Sequence, residues 1–155
     1  MRSFKRICIS ILILMAAFAY RTTGRFLRIT AEDGRPIATI PAKNGFDLSF
    51  IHSINLSPVD EEFTMRKNGI LVLDKVSFDQ FGTGMPTSKE DGVRFEGGRY
   101  VTKPARRFKE IPVRVSPVPG HELRIDGRRY ALTRWAPPSG LLLFIAAPGY
   151  DRMAP

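Results

Sequence analysis

The sequence predicts an all-β fold, a single-domain antiparallel β-sandwich or small barrel of about ten short strands. From Arg25 onward, apolar residues come in short runs separated by turn signals. No stretch repeats its apolar residues with the 3.6-residue period of an amphipathic helix. Twelve prolines and thirteen glycines, both of which interrupt helices, are a heavy load for a helical domain of this size. At 155 residues the chain suits one domain with one hydrophobic core.

Taken in order, Phe26, Leu27 and Ile29 open the first strand, which Asp33-Gly34 turns into Pro36 to Ile40. In Phe46 to Ile54, Phe46, Leu48 and Phe50 alternate with Asp47 and Ser49, the pattern of a strand with one buried face. Lys67-Asn68-Gly69 joins the next two runs. A three-residue loop sets Met65 opposite Leu71, Phe63 opposite Leu73 and Glu61 opposite Lys75, whereas a two-residue loop sets Phe63 against Asp74. The apolar pairs favour the first register, with Gly69 supplying the positive φ of a bulged turn. Gly97-Gly98 sets Glu96 opposite Arg99 and Phe95 opposite Tyr100, a charge pair and an aromatic pair. Pro104 to Lys109, with Arg106 and Arg107, reads as a basic connection between two halves of one sheet system. Asp126-Gly127 joins Leu123–Ile125 to Arg128–Trp135 with Leu123 facing Tyr130, although this also sets Arg124 against Arg129. The last run, Leu141 to Ala147, is continuously apolar and reads as a buried strand.

The first twenty residues have a different composition. Arg2, Lys5 and Arg6 precede a charge-free run from Ile7 to Tyr20. That run is short against the roughly 20 apolar residues of a membrane-crossing helix, and it has the length of a signal h-region. Ala17-Phe18-Ala19 is a small-residue cleavage pattern, and Tyr20 with its flanking arginines would instead suit a signal-anchor. The expected organisation is a signal peptide or signal-anchor over 1–20, an all-β domain over 21–150 and a short tail over 151–155. The expected location is outside the cytoplasm, free or anchored to a membrane. The single cysteine, Cys8, falls in the leader, so the domain has no disulfide or thiolate chemistry.

The net charge is +9, and three of the 24 basic residues belong to the leader. An exported basic domain meets anionic headgroups or acidic partners more readily than nucleic acid, so contact with a membrane surface is one reading and a solvated basic face that aids solubility is the other. Arg99, Lys103, Arg106, Arg107 and Lys109 interleave with Tyr100 and Phe108, a pattern that can hold single-stranded nucleic acid. Export argues against nucleic acid as a partner.

Residues able to act as nucleophile, base or ligand are few. His52 lies beside Ser53, with Glu61 and Glu62 on the following strand. One reading is a Ser/His/Glu cluster of a small hydrolase or a His/Glu metal site. The other is a histidine that hydrogen-bonds its neighbours and fixes a strand connection. Adjacent strand residues point to opposite faces, so a His52–Ser53 pair would need a bulge. A metal site using His121 would require distant strands to meet. Gly82-Thr83-Gly84 before Met85-Pro86 could aim backbone N–H groups at an anion. It lacks the following lysine and helix of a P-loop, and it could equally be a loop with positive φ packed on the sheet. No cofactor, metal or catalytic set is expected.

Phe50-Ile51-His52-Ser53-Ile54, Ser57-Pro58-Val59-Asp60-Glu61-Glu62-Phe63 and Phe78-Asp79-Gln80-Phe81-Gly82-Thr83-Gly84-Met85-Pro86 together resemble the bacterial domain of unknown function numbered 1850. The matching signature positions are His52, Ser53, Pro58, Glu61, Gly82, Gly84 and Pro86. Thr83 and Met85 stand where that family usually has Ala and Leu, and Thr83 adds a hydroxyl to the glycine loop. The resemblance implies small exported proteins found beside TRAP transporters of the TAXI type, with transporter subunits or the substrate-binding protein as partners. It implies a setting, the periplasmic side of a bacterial inner membrane, free or anchored and able to contact that membrane's surface, and no mechanism. Together with the export signal and the missing catalytic set, it leads to the expectation of a binding rather than catalytic role. The hairpin around Lys67–Gly69 should return the chain to the sheet end where Pro58 begins. The glycine loop should then lie beside the His52–Glu61 connection, with the His52 and Glu61 side chains converging there and Ser53 nearby.

Overall fold

The computed structural model describes Arg6, residues 9–12, Met15, residues 24–82 and residues 92–148. Twelve strands lie among them: β1 Arg25–Ala31, β2 Pro36–Pro41, β3 Phe46–Ile51, β4 Pro58–Met65, β5 Leu71–Phe78, β6 Arg94–Glu96, β7 Arg99–Thr102, β8 Arg106–Phe108, β9 Glu110–Arg114, β10 Glu122–Ile125, β11 Arg128–Ala131 and β12 Leu141–Pro148. Arg6, residues 9–12 and Met15 are helical. The rest of the leader, with Cys8 and the Ala17–Ala19 motif, lies outside the described residues, as do Thr83, Gly84, Met85, Pro86 and the tail. Among the described residues no helix is long and apolar enough to cross a membrane.

The strands form an antiparallel sandwich. A four-stranded sheet runs β2-β1-β12-β9, and a larger sheet runs β11-β10-β3-β4-β5-β7-β6 with β8 also paired to β5. Leu27, Ile29, Leu142 and Phe144 of the small sheet meet Phe46, Leu48, Phe63, Phe78 and Leu123 of the large one. Phe46 stacks on Phe63 at 5.0 Å and meets Phe144 edge-on at 6.0 Å, so one ring joins both layers. Each such fully buried side chain stabilises the sandwich by about 1.5–3 kcal/mol. The edges of the small sheet are blunted by proline: Pro36 and Pro41 in β2, Pro112 in β9.

Turn chemistry set the hairpins as expected. Glu96 lies opposite Arg99, Phe95 opposite Tyr100, and Leu123 opposite Tyr130. Asp126 and Gly127 both take positive φ, as a two-residue hairpin turn requires. Arg124 does face Arg129, and Glu122 relieves the repulsion by accepting from Arg124 at 2.7 Å and from Arg129 at 3.4 Å.

Four expectations need correction. The run from Phe46 stops being a strand at Ile51, and His52–Ser57 is a hydrogen-bonded connection. The Arg128–Trp135 run breaks at Ala131 into a 3-10 helix, Leu132–Arg134, which buries Leu132. Pro104–Lys109 contains β8 and is where the chain leaves the large sheet for the small one. Finally, Met65 and Phe63 face Leu71 and Leu73 as expected, but Lys75 faces Glu62 and Glu61 faces Val76. The register shifts between Glu62 and Phe63, with Asp74 as the extra residue on β5. An unbroken period of two from Leu71 and Leu73 would carry Lys75 into the core and Val76 and Phe78 out of it. The bulge reverses that, leaving Phe78 fully buried and Lys75 outside, where it meets Glu62 at 2.7 Å.

The sandwich has two distinct ends. Arg25 Nη1 donates to the Met65 carbonyl at 2.7 Å, so the chain enters β1 at the Lys67–Gly69 turn. The His52–Ser57 connection and the residues after Phe78 lie at the opposite end of β4 and β5. Eight strand residues at about 3.3 Å each put roughly 25 Å between the two ends.

Candidate functional site

The two signature segments meet at the end opposite Arg25 and the Lys67–Gly69 turn. Within the connection, His52 N–H donates to the Ser57 carbonyl and Leu56 N–H to the His52 carbonyl, each at 2.9 Å. Ile54 N–H donates to His52 Nδ1 at 3.3 Å, which leaves Nε2 to carry the ring proton. Asn55 Oδ1 accepts from Ser57 N–H and Oγ–H at 3.2 and 2.8 Å. Asn55 Nδ2 reaches across to the Gln80 and Phe81 carbonyls at 3.4 and 3.3 Å. A Cβ on Gly82 would lie 2.9 Å from Asn55 Nδ2 and 3.1 Å from His52 Cε1. Gly82 therefore allows a close approach to the Asn55 and His52 side chains, and it does not take the positive φ that the sequence suggested. Gly84 and the aim of the loop's N–H groups lie outside the described residues.

His52 is buried and Ser53 is exposed. Pro58 serves through its carbonyl, which accepts from Arg99 Nη2 at 3.0 Å. Glu61 does not join this end. Its parity on β4 matches Val59, Phe63 and Met65, so it points inward from its place between Leu48 and Val76. Among the described residues it has no hydrogen-bonding or ion-pair partner. Burial raises its carboxyl above the ordinary value of 4.5, although the residue keeps a partial opening to solvent. The alternation of β4 was the signal that separated Glu61 from His52.

That inward carboxylate carries a test. The folded chain holds a proton that the unfolded chain releases as pH rises past 4.5. Stability is therefore lost as pH rises through the raised folded value, and it stays lost at neutral pH. Glu61→Gln should stabilise the domain by about 1 kcal/mol at pH 7 and by nothing below the unfolded value. Urea unfolding at both pH values measures this, and an equal effect at each would refute it.

The connection holds apolar side chains outward. Ile54 and Leu56 are 66% and 67% exposed, and Phe81 is 43% exposed beside Tyr100 at 4.3 Å. Leu56 sits at φ 52, a conformation that a branched side chain adopts only when its surroundings impose it. Here the imposition is the bond from its N–H to the His52 carbonyl, and the His52 ring adds a second tie by accepting from Ile54 N–H, so the loop is held with its apolar residues facing solvent.

A charged network missed by sequence reasoning lies beneath this loop, on the outer face of the large sheet. Asp60 accepts from Arg99 on one carboxylate oxygen, at 2.5 Å, and from Arg124 on the other, at 3.1 Å. Arg99 also reaches Asp79 and the Ser77 carbonyl, while Arg124 reaches Glu122 and Ser49. Arg99 thus turns away from Glu96, the partner expected from its register. Burial alone would push Asp60 up, but hydrogen bonds from Arg99 and Ser49 and the charges of Arg99 and Arg124 outweigh it and hold its carboxyl low. On the same face, burial and the nearby Glu62 charge push Asp47 up. His121, whose imidazolium burial disfavours, uses Nδ1 to accept from Ser116 N–H at 2.9 Å and packs edge-on against Phe50.

The model of the family described as a domain of unknown function, DUF1850, matches residues 46–132. That range begins at the first residue of β3 and ends just past β11, so it takes in every strand of the large sheet and both arginines on Asp60. No curated protein and no solved structure matches the chain.

Proposed function

We propose, for a chain that belongs to the DUF1850 family, a binding role as an extracytoplasmic accessory of a TAXI-type TRAP uptake system. The observation that carries the binding role is the latched end of the sandwich. Two segments distant in sequence are tied by Asn55, His52 and Gly82 into one loop pair that presents Ile54, Leu56 and Phe81 to solvent. Exposed apolar residues on a rigid, hydrogen-bonded support suit recognition, because little conformational freedom remains to be lost on contact. The leader supports the extracytoplasmic side, and the resemblance supplies the transporter setting. The test is recovery of partners from crosslinked membranes at endogenous expression. Transporter subunits or the substrate-binding protein should co-purify with the wild-type chain and be lost with Leu56→Asp. Recovery of neither from the wild-type chain refutes the transporter role.

A further inference from the structure

The end of the sandwich opposite the latched loops is basic. Arg66 and Lys67 form the β4–β5 turn there, and Lys43 precedes Gly45, which packs against the Phe63 backbone. Arg106 and Arg107 of β8 pair with Leu73 and Val72, at the same end of β5. All five side chains are exposed, and among the described residues none is in an ion pair. Two carboxylates lie nearby, Asp74 accepting from Thr64 and Asp126 from Asn44, so the five cations leave this end net positive.

This is also the end where the chain enters from its N-terminal apolar run. Arg25 bonds to Met65 at 2.7 Å, and Tyr20, the last residue of the run, precedes it by five residues. Five residues span at most about 18 Å. A leader held in a bilayer therefore keeps the basic end within reach of the headgroups. A net positive end near that surface is attracted if the lipid is anionic, and the attraction dies within about 8–10 Å in physiological salt.

We infer that Lys43, Arg66, Lys67, Arg106 and Arg107 form a docking face for anionic phospholipid headgroups, which stands the sandwich on the membrane with Ile54 and Leu56 pointing away. The inference rests on the accessory reading only in taking the leader to be membrane-inserted. It assigns the apolar loops to an aqueous partner on the far side, because they sit roughly 25 Å from the docking face.

The test uses the full chain with Cys8→Ser, carrying a single fluorophore on Asn68→Cys or on Leu56→Cys, in proteoliposomes of phosphatidylglycerol and phosphatidylcholine with a headgroup quencher. Quenching should occur at position 68 and not at 56. It should disappear at 0.5 M salt, in pure phosphatidylcholine, and in a variant with Arg66, Lys67, Arg106 and Arg107 all changed to Glu. Arg94→Glu, at the opposite end, should leave it intact. Equal quenching at both positions, stronger quenching at 56, or persistence in the charge-reversed variant overturns the docking face. If the chain fails to float with vesicles at all, the membrane-inserted leader fails instead. Salt-sensitive binding of the same labelled chain to added phosphatidylglycerol vesicles then decides the docking face alone: quenching at 68 upholds it and none overturns it.

Discussion

Gly45→Ala should destabilise the domain by about 3–5 kcal/mol, enough to unfold much of a marginally stable chain at 37 °C. Gly45 closes the turn that begins at Ala42, with its N–H donating to the Ala42 carbonyl at 3.1 Å, and it sits at φ 99. A Cβ there would overlap the Phe63 carbonyl oxygen and crowd the Thr64 Cα at 3.2 Å. Both obstacles are backbone atoms of β4, a central strand of the large sheet, so neither can swing aside as a side chain would. The strain of positive φ adds a second penalty. Relief would require β3 to slide away from β4, disturbing the Phe46–Phe63 stack within the large sheet and, through Phe46, the edge-on contact with Phe144 that joins the two sheets. Gly34→Ala is the control: it shares the positive φ, at 83, but has open space around it. It should cost about 1 kcal/mol. Thermal unfolding of the two variants separates clash from backbone strain, and equal losses would show that the contact with Phe63 is unimportant.

The difference between those glycines also marks what the sequence could show. Features set by neighbours in the chain were legible: the Gly97-Gly98 and Asp126-Gly127 turns fix their own registers, and Met65 opposite Leu71 follows from apolar pairing. The meeting of His52 with Gly82 was legible for a related reason, because a hairpin with arms of comparable length returns to where it started. Long-range partners were not. Nothing near Lys109 announces that the chain changes sheets there, since membership depends on which distant strand offers a free edge. The bulge at Asp74 left a local trace in Lys75, a charge at a position the Leu71–Leu73 alternation would bury, but that trace is readable only once the core face is known. Arg99 could be placed opposite Glu96 by register, yet its long side chain crosses β5 to Asp79 and on to Asp60. Glu61 was grouped with His52 because the two belong to one motif, although the alternation of β4 points it into the sandwich.

Asp60 and Glu61 are adjacent on β4 and face opposite environments, so their acid responses should have opposite signs. Asp60 lies between Arg99 and Arg124 with its side chain only 20% exposed, and those arginines are 30% and 32% exposed. Asp60→Ala should cost about 2–3 kcal/mol at pH 7, below the 3–5 kcal/mol of a fully buried broken pair because water still reaches both guanidinium groups. The penalty comes mainly from the arginines left facing each other across an empty site. Asp79 and Glu122 can each retain one of them, but neither spans both. The folded carboxyl is held below the ordinary 3.8. Its contribution is therefore fully present above that value and fades as pH falls through the lowered folded value. The gap in unfolding free energy between wild type and Asp60→Ala should stay constant from pH 7 to about 5, then narrow toward pH 2. Asp60→Asn should recover part of the neutral-pH loss, since an amide oxygen can still accept from one arginine, and should flatten the acid response. A gap that widens below pH 4 would mean that Asp60 is not the carboxylate these arginines hold. The network would then be positioned by Asp79 and Glu122, and Asp60 would be a bystander on the outer face.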